Sequence, residues 1–302
     1  FVTALTLFLL LILGSAFQGA ERWFDFGWFA IQPSDPAKIA VIILLAKYFS
    51  RRHIEIANIR HIIVSGVYTG LICLLVFLQP DFSSALIIGG LWFGMVFVSG
   101  ISKKHLFSVI VLAFISSALL WSFVLEDYQK NRIVSFLNPL SDIQGAGYNA
   151  FQATIAVGSG ELFGKGVGYG TQSRLQFLPE YQTDFMFAAF AEEWGFLGAF
   201  FLLLLFSIFI ARLVQNAYYG SSNFETLYML GVAWWFVMHI GIHIGMNTGL
   251  LPVTGITLPF MSYGGSHLLT EFFALGVVMG MGRHRALRHR GDVGRESVDI
   301  SY

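Results

Sequence analysis

HLFSVIVLAFISSALLWSFVL, residues His105–Leu125, contains no Asp, Glu, Lys or Arg along its whole length. A helix that crosses a bilayer needs roughly 20 mostly apolar residues, so this run is long enough to span one. Six further runs of the same kind flank it: Phe1–Phe17, His61–Leu78, Phe82–Val98, Phe185–Arg212, Leu227–Leu251 and Tyr263–Met281. An eighth and shorter run, Ala37–Phe49, follows Pro33 and Pro36 and carries Lys38 and Lys47, which reads as a span with a polar, unwound entrance. The expected fold class is all-α: a polytopic helical membrane protein with about eight visible transmembrane helices, forming one domain over residues 1–302.

Composition agrees. Of 302 residues 56% are hydrophobic and 12% charged, and the mean hydropathy is +0.68. A soluble domain carries about 25% charged residues, so the polar surface here is too small to cover a globule of this size. The formal net charge of +0 argues against nucleic acid as a partner, because phosphate binding needs a concentrated positive field. Cys73 is the single cysteine, which excludes an internal disulfide and a redox pair. The chain opens on Phe1, inside an apolar run and without the basic stretch of a signal peptide, and so reads as a fragment lacking its true start or as a processed chain.

Basic residues sort by side. With eight spans, twelve of the 18 lysines and arginines fall on one side, among them Lys47, Lys103, Lys104, Arg212 and the tail arginines from Arg283. Arg22, Lys130, Arg132, Lys165 and Arg174 fall on the other, and Lys38 lies within a span. The positive-inside rule then places both visible termini and the basic tail 283–302 in the cytoplasm. The long segment of about 126–183 becomes an extracytoplasmic loop, and loops of that length are usually functional. Within it Tyr148–Val157 is apolar enough for a short helix lying on the membrane. The glycine-rich stretch Gly158–Lys165 is not a phosphate-binding loop, since Ser159 and Gly166 break the required GxxxxGK[ST] pattern.

Ionisable residues at membrane depth are costly and by default mark function. Asp184 stands where the outer loop enters a long apolar helix, with Glu192 and Glu193 about two turns deeper. Counting round a helix from Asp184 puts the two glutamates on different faces, which suggests a structural pairing for Glu193. Glu271 in the last span invites the same reading. His239 and His243 are one helical turn apart, with His267 in the next span, yet acidic partners for a metal are missing locally.

Seven ordered segments complete the picture: Gly19–Trp23, Gln32-Pro33-Ser34-Asp35 with Lys38, Asp127-Tyr128-Gln129, Gly170–Ser173, Leu178-Pro179-Glu180 with Thr183-Asp184-Phe185, Ala191-Glu192-Glu193, and Leu258-Pro259 with Ser262–Ser266. Together they resemble the SEDS family of bacterial cell-shape, cell-division and sporulation proteins over essentially the whole chain, and the Gly-Thr-Gln-Ser and Asp-Tyr-Gln segments are most like those of its elongation member. Family members have ten spans, so the resemblance implies that the first two are missing here. It further implies a multi-pass protein of the bacterial inner membrane. The implied activity is a peptidoglycan glycosyltransferase that polymerises lipid II, working with a class B penicillin-binding protein and the elongation machinery.

By the same resemblance Asp184 matches the aspartate that the family needs for activity, and Lys38 matches a lysine paired with an acid three residues earlier, here Asp35. Arg22, Asp35, Lys38, Arg132, Glu180 and Ser262 are expected to bind substrate, and Lys130, Lys165 and Arg174 are further outward cations expected as candidates for its diphosphate. Departures are Gln182 where the family often has His, and His243 and His267 where it usually has Asn and a small residue. Asp184 is the expected general base, and a divalent cation, Mg²⁺ or Mn²⁺, bridging it to the diphosphate is expected. The alternative readings are a lipid II flippase, which would need ionisable groups at mid-depth in several spans, and a non-catalytic scaffold for a transpeptidase.

Overall fold

The computed structural model describes residues 2–13, 15–17, 20–25, 30–51, 59–138 and 146–299. Each expected apolar run contains a helix: α1 (Val2–Leu13), α2 (Ser34–Ser50), α3 (Ile59–Phe77), α4 (Phe82–Val98), α5 (Lys103–Phe123), α9 (Met186–Tyr218), α10 (Asn223–Asn247) and α11 (Gly265–Asp299), although the first run, expected to Phe17, turns from helix to strand at Ser15. Four of them, α3, α5, α9 and α10, are long and apolar enough to cross a membrane, and α4 is a shorter apolar helix. The segment expected as a loop holds three more: α6 (Asp127–Leu137), α7 (Ala146–Ser159), which contains the anticipated Tyr148–Val157, and α8 (Thr171–Arg174). One element departs from all-α. A small antiparallel sheet of β1 (Ser15–Phe17), β2 (Ala20–Asp25) and β3 (Ala30–Ile31) fills the turn between α1 and α2. Its strands are only 3, 6 and 2 residues long, too short for a period-2 pattern to stand out beside the apolar run.

Local chemistry starts the helices. Asp81 caps α4, its Oδ1 accepting from the Ser84 N–H at 3.1 Å, and Ser102 caps α5 by accepting from the His105 N–H at 3.4 Å. At the start of α6 the Glu126 N–H donates to Gln129 Oε1 at 3.1 Å, half of a capping box. The core lies where α2, α4, α9 and α10 meet, with Ile42, Leu45, Ile88, Leu91, Tyr228, Trp235 and Phe236 buried there. Trp234 on α10 donates its Nε1–H to the Gly90 carbonyl of α4 at 2.9 Å, tying a bulky ring into the seam.

α9 is broken, and the break positions the outer loop. Thr226 Oγ1 donates to the Ala217 carbonyl at 3.1 Å at one end of the α9–α10 pair, and the Ala188 N–H donates to Asn247 Oδ1 at 3.1 Å at the other. Between these ties a straight α9 would run about 44 Å and α10 about 32 Å. The surplus is absorbed at Gly195, whose φ of 66° is outside the helical region. Backbone groups freed by the break are taken up by the loop: Lys165 and Gly166 N–H donate to the Glu192 and Glu193 carbonyls, each at 3.0 Å, while Phe196 and Leu197 N–H donate to Glu161 and Leu162 at 2.8 and 3.1 Å.

Candidate active site

Asp184 sits in a tight turn just before α9. Thr183, Asp184 and Phe185 N–H all donate to the Glu180 carbonyl, at 3.1, 3.0 and 3.2 Å, and Glu180 itself adopts a left-handed φ of 54°. From α10, Asn247 Nδ2 donates to the Asp184 carbonyl at 3.1 Å, and His243 Nε2 accepts from the Phe187 N–H at 3.3 Å. Ser262 Oγ donates to the Thr183 carbonyl at 2.7 Å and accepts from the Leu258 N–H at 2.8 Å. The backbone of the turn is therefore held from three directions, and no part of that hold uses the Asp184 side chain. The N-cap position of α9 belongs to Phe185, without a side-chain cap bond. Asp184 is thus not spent on capping.

Its carboxylate faces a cavity of about 390 Å³ lined by Asp35 and Lys38 of α2, Asp81, Ser83 and Ser84 at the head of α4, Arg132 of α6, Glu180 and Thr183 of the turn, Thr254–Thr257, His239 of α10 and His267 of α11. Among the described residues no donor hydrogen-bonds the Asp184 carboxylate. Gly255, with φ 72°, passes so close that a Cβ there would stand 3.3 Å from Asp184 Oδ2. Burial pushes the Asp184 carboxyl up to about 6, the Glu180 carboxylate adds to the rise, and the Arg132 guanidinium works against it. A half-buried acid with a raised pKa and free oxygens is suited to taking a proton.

Lys38 Nζ donates to Asp35 Oδ1 at 2.9 Å, and both side chains are about 95% buried. The expected pair is present, and Pro36 between them does not disturb it. Three sequence-distant segments thus bring Asp35, Lys38, Arg132, Glu180 and Asp184 to one cavity. Ser262 does not line it; both its hydrogen bonds go to backbone, which makes it a positioning residue for the Asp184 turn. Arg22 lies on β2, and its side chain falls outside the described residues, as do those of the tail beyond Arg283.

Two sequence expectations need correction. Lys165 is not free for an anion, because it pairs with Glu192 Oε1 at 2.7 Å. Glu192, rather than Glu193, is the structural glutamate: fully buried, it also accepts from the Thr171 N–H at 2.9 Å and the Thr171 hydroxyl at 3.0 Å. The helical count failed because Asp184 precedes the helix, so 100° per residue does not apply from it.

Asp81 was missed. Besides capping α4 it accepts from Gln32 Nε2 at 2.9 Å and from the Ser34 hydroxyl at 3.3 Å, closing one wall of the cavity. An Asp at the first turn of an apolar helix was the available signal. Among the described residues no group of three His, Cys, Asp or Glu side chains is arranged to hold a metal.

The family model described as cell cycle protein, FTSW_RODA_SPOVE, matches residues 1–287. Peptidoglycan glycosyltransferase MrdB of Escherichia coli (strain K12) is 38% identical over 274 residues, 91% of this chain and 74% of its own length. A chain from a peptidoglycan synthase complex, solved for its coordination of polymerization and crosslinking, superposes with a TM-score of 0.79 at 30% identity, over 94% of this chain and 79% of that one. The Thermus thermophilus rod shape determining protein RodA superposes with a TM-score of 0.65 at 29% identity, over 92% of this chain and 74% of its own. This chain, a multi-pass helical membrane protein, belongs to the FtsW/RodA/SpoVE family of cell cycle proteins.

Proposed function

We propose that Asp184 is the general base of a peptidoglycan glycosyltransferase that polymerises lipid II. The observation that carries this reading is a carboxylate to which no described residue donates a hydrogen bond, held by its backbone in one cavity with two cations, Lys38 and Arg132. In the reaction the hydroxyl oxygen of one sugar attacks the anomeric carbon of another, and the bond from that carbon to the diphosphate oxygen breaks. The hydroxyl proton passes to Asp184, and the electron pair leaves on the diphosphate. A positioned base contributes on the order of 10²- to 10⁴-fold. Lys38 and Arg132 neutralise the departing charge in a partly dehydrated site.

A divalent cation, Mg²⁺ or Mn²⁺, would be held here by the Asp184 carboxylate with Glu180 beside it. Such an ion would neutralise diphosphate charge, and the steps above do not depend on it. Likeness to a chain of a peptidoglycan synthase complex supports a crosslinking partner, for which a class B penicillin-binding protein of the elongation machinery is the natural candidate.

The pH profile tests the base. Only ionised Asp184 accepts a proton, so kcat/KM should fall as pH drops through about 6. Glu180→Gln removes a negative charge that raises the pKa, so the acid limb should move to lower pH. An acid limb that ignores Glu180→Gln would remove Asp184 from that role.

Orientation is the second proposal. The cavity and the segment 126–183 face outward across the bacterial inner membrane, and both visible termini face the cytoplasm. With Cys73 replaced, a cysteine at the exposed Arg174 should react with an impermeant thiol reagent in intact cells, and one at the exposed Lys104 should not. The reverse pattern would overturn the assignment.

A further inference from the structure

Behind the Lys38–Asp35 pair lies a second layer of charge. His267 Nδ1 stands 3.3 Å from Asp35 Oδ1, the same oxygen that accepts from Lys38. His267 Nε2 stands 2.9 Å from Glu271 Oε1, one turn further along α11. Glu271 Oε2 in turn accepts from the Phe260 N–H at 3.1 Å. The His267 ring stacks on that of His239, centroids 4.7 Å apart. All five side chains are buried.

Charge and hydrogen count decide what this layer does. Ionised carboxylates only accept; His267 Nδ1 hydrogen-bonds Asp35 and its Nε2 lies within ion-pair distance of Glu271, though off the line of a hydrogen bond, so a charged ring suits both neighbours. Asp35, Glu271 and Lys38 alone sum to one negative charge. One extra proton held by the His267–Glu271 pair brings the sum to zero, and an uncompensated buried charge is strongly unfavourable. Without His267, Lys38 would be the sole cation on Asp35 Oδ1 and would be held there more tightly, less free to reach an anion in the cavity. The other histidines are placed differently: His243 is held between the Phe187 N–H and the Ile256 carbonyl, and His239 Nδ1 faces the Thr257 carbonyl at 3.3 Å.

We propose that His267 is a positioning residue for Lys38: by bridging Asp35 and Glu271 it balances the buried charge and leaves the Lys38 ammonium available to an anionic group, the substrate diphosphate, in the cavity. This rests on the reading that Lys38 serves glycan polymerisation. His267 itself acts through Asp35 and Glu271 and contacts no reacting atom.

The test is a set of variants of the full chain with its partner, polymerising purified lipid II at equal protein. His267→Gln should lose about tenfold or more, as expected when one member of a buried charge network is removed. Glu271→Gln, which leaves Asp35 and Lys38 balanced, should stay near wild type, and the double variant H267Q/E271Q should recover most of the loss. In a Lys38→Ala background His267→Gln should add nothing, because residues acting as one unit are not additive. Should His267→Gln not accumulate, His267→Asn replaces it, since its amide can still donate to Asp35 without supplying charge. Full activity of the His267 variant, no recovery with Glu271→Gln, or additive losses with Lys38→Ala would each overturn the inference while leaving the role of Lys38 intact. A harmless Lys38→Ala would instead remove the reading beneath it.

Discussion

Lys38→Ala should reduce glycan polymerisation on the order of 10²-fold, as removal of a preorganised group facing developing negative charge typically does. Lys47→Ala, nine residues along the same helix, should stay within about twofold of wild type, since an exposed cation–π contact is worth only about 0.5–1 kcal/mol. The two lysines differ in everything but type. Lys38 is 4% exposed, lines the cavity and donates to Asp35. Lys47 is exposed, its Nζ resting 5.7 Å from the centroid of the Phe224 ring. Because Lys38→Ala leaves His267 alone against the Asp35 and Glu271 carboxylates, folding is checked by melting temperature before activity is compared. Polymer formed at matched membrane levels is the measurement, and equal losses from the two variants would take Lys38 out of the site.

The architecture was legible because the bilayer imposes a length and a composition on each span. All eight apolar runs contain helices; α2 starts at Ser34, three residues earlier than its apolar stretch, and the first run gives way to a strand over Ser15–Phe17. The site was legible in part. Asp35 and Lys38 have the i, i+3 spacing that pairs side chains on a helix, and Asp184 declared itself as a charge at the edge of a span. What a linear reading could not supply was the behaviour of broken backbone. Gly195 is one glycine in an apolar run, and its φ of 66° follows from the length mismatch between α9 and α10, which only the folded pair defines. Glu192, and not Glu193, is the partner of Lys165, which a count from Asp184 missed because that residue lies before the helix. The link from His267 to Asp35 joins residues 232 apart, and spacing carries no trace of it. Ser262 was expected at the substrate because it lies in a motif, whereas its hydroxyl holds the Thr183 carbonyl.

Asp184→Asn tests the central claim most directly. Both hydrogen bonds that residue 184 contributes to the turn, from its N–H to Glu180 and from Asn247 to its carbonyl, are made by its backbone atoms. Amide and carboxylate are nearly isosteric, so fold and partner binding should be unchanged. Polymerisation should fall by a factor on the order of 10² or more, because the amide cannot take the proton. Asp184→Glu should recover little: the extra methylene moves the oxygen by about 1 Å in a site already crowded by Gly255, and misplacement on that scale costs about 10²-fold. The decisive measurement is glycan polymer made from purified lipid II by the Asp184→Asn protein with its partner, at wild-type protein level and melting temperature. The account predicts a loss on the order of 10²-fold or more. Polymer at the wild-type rate would contradict it.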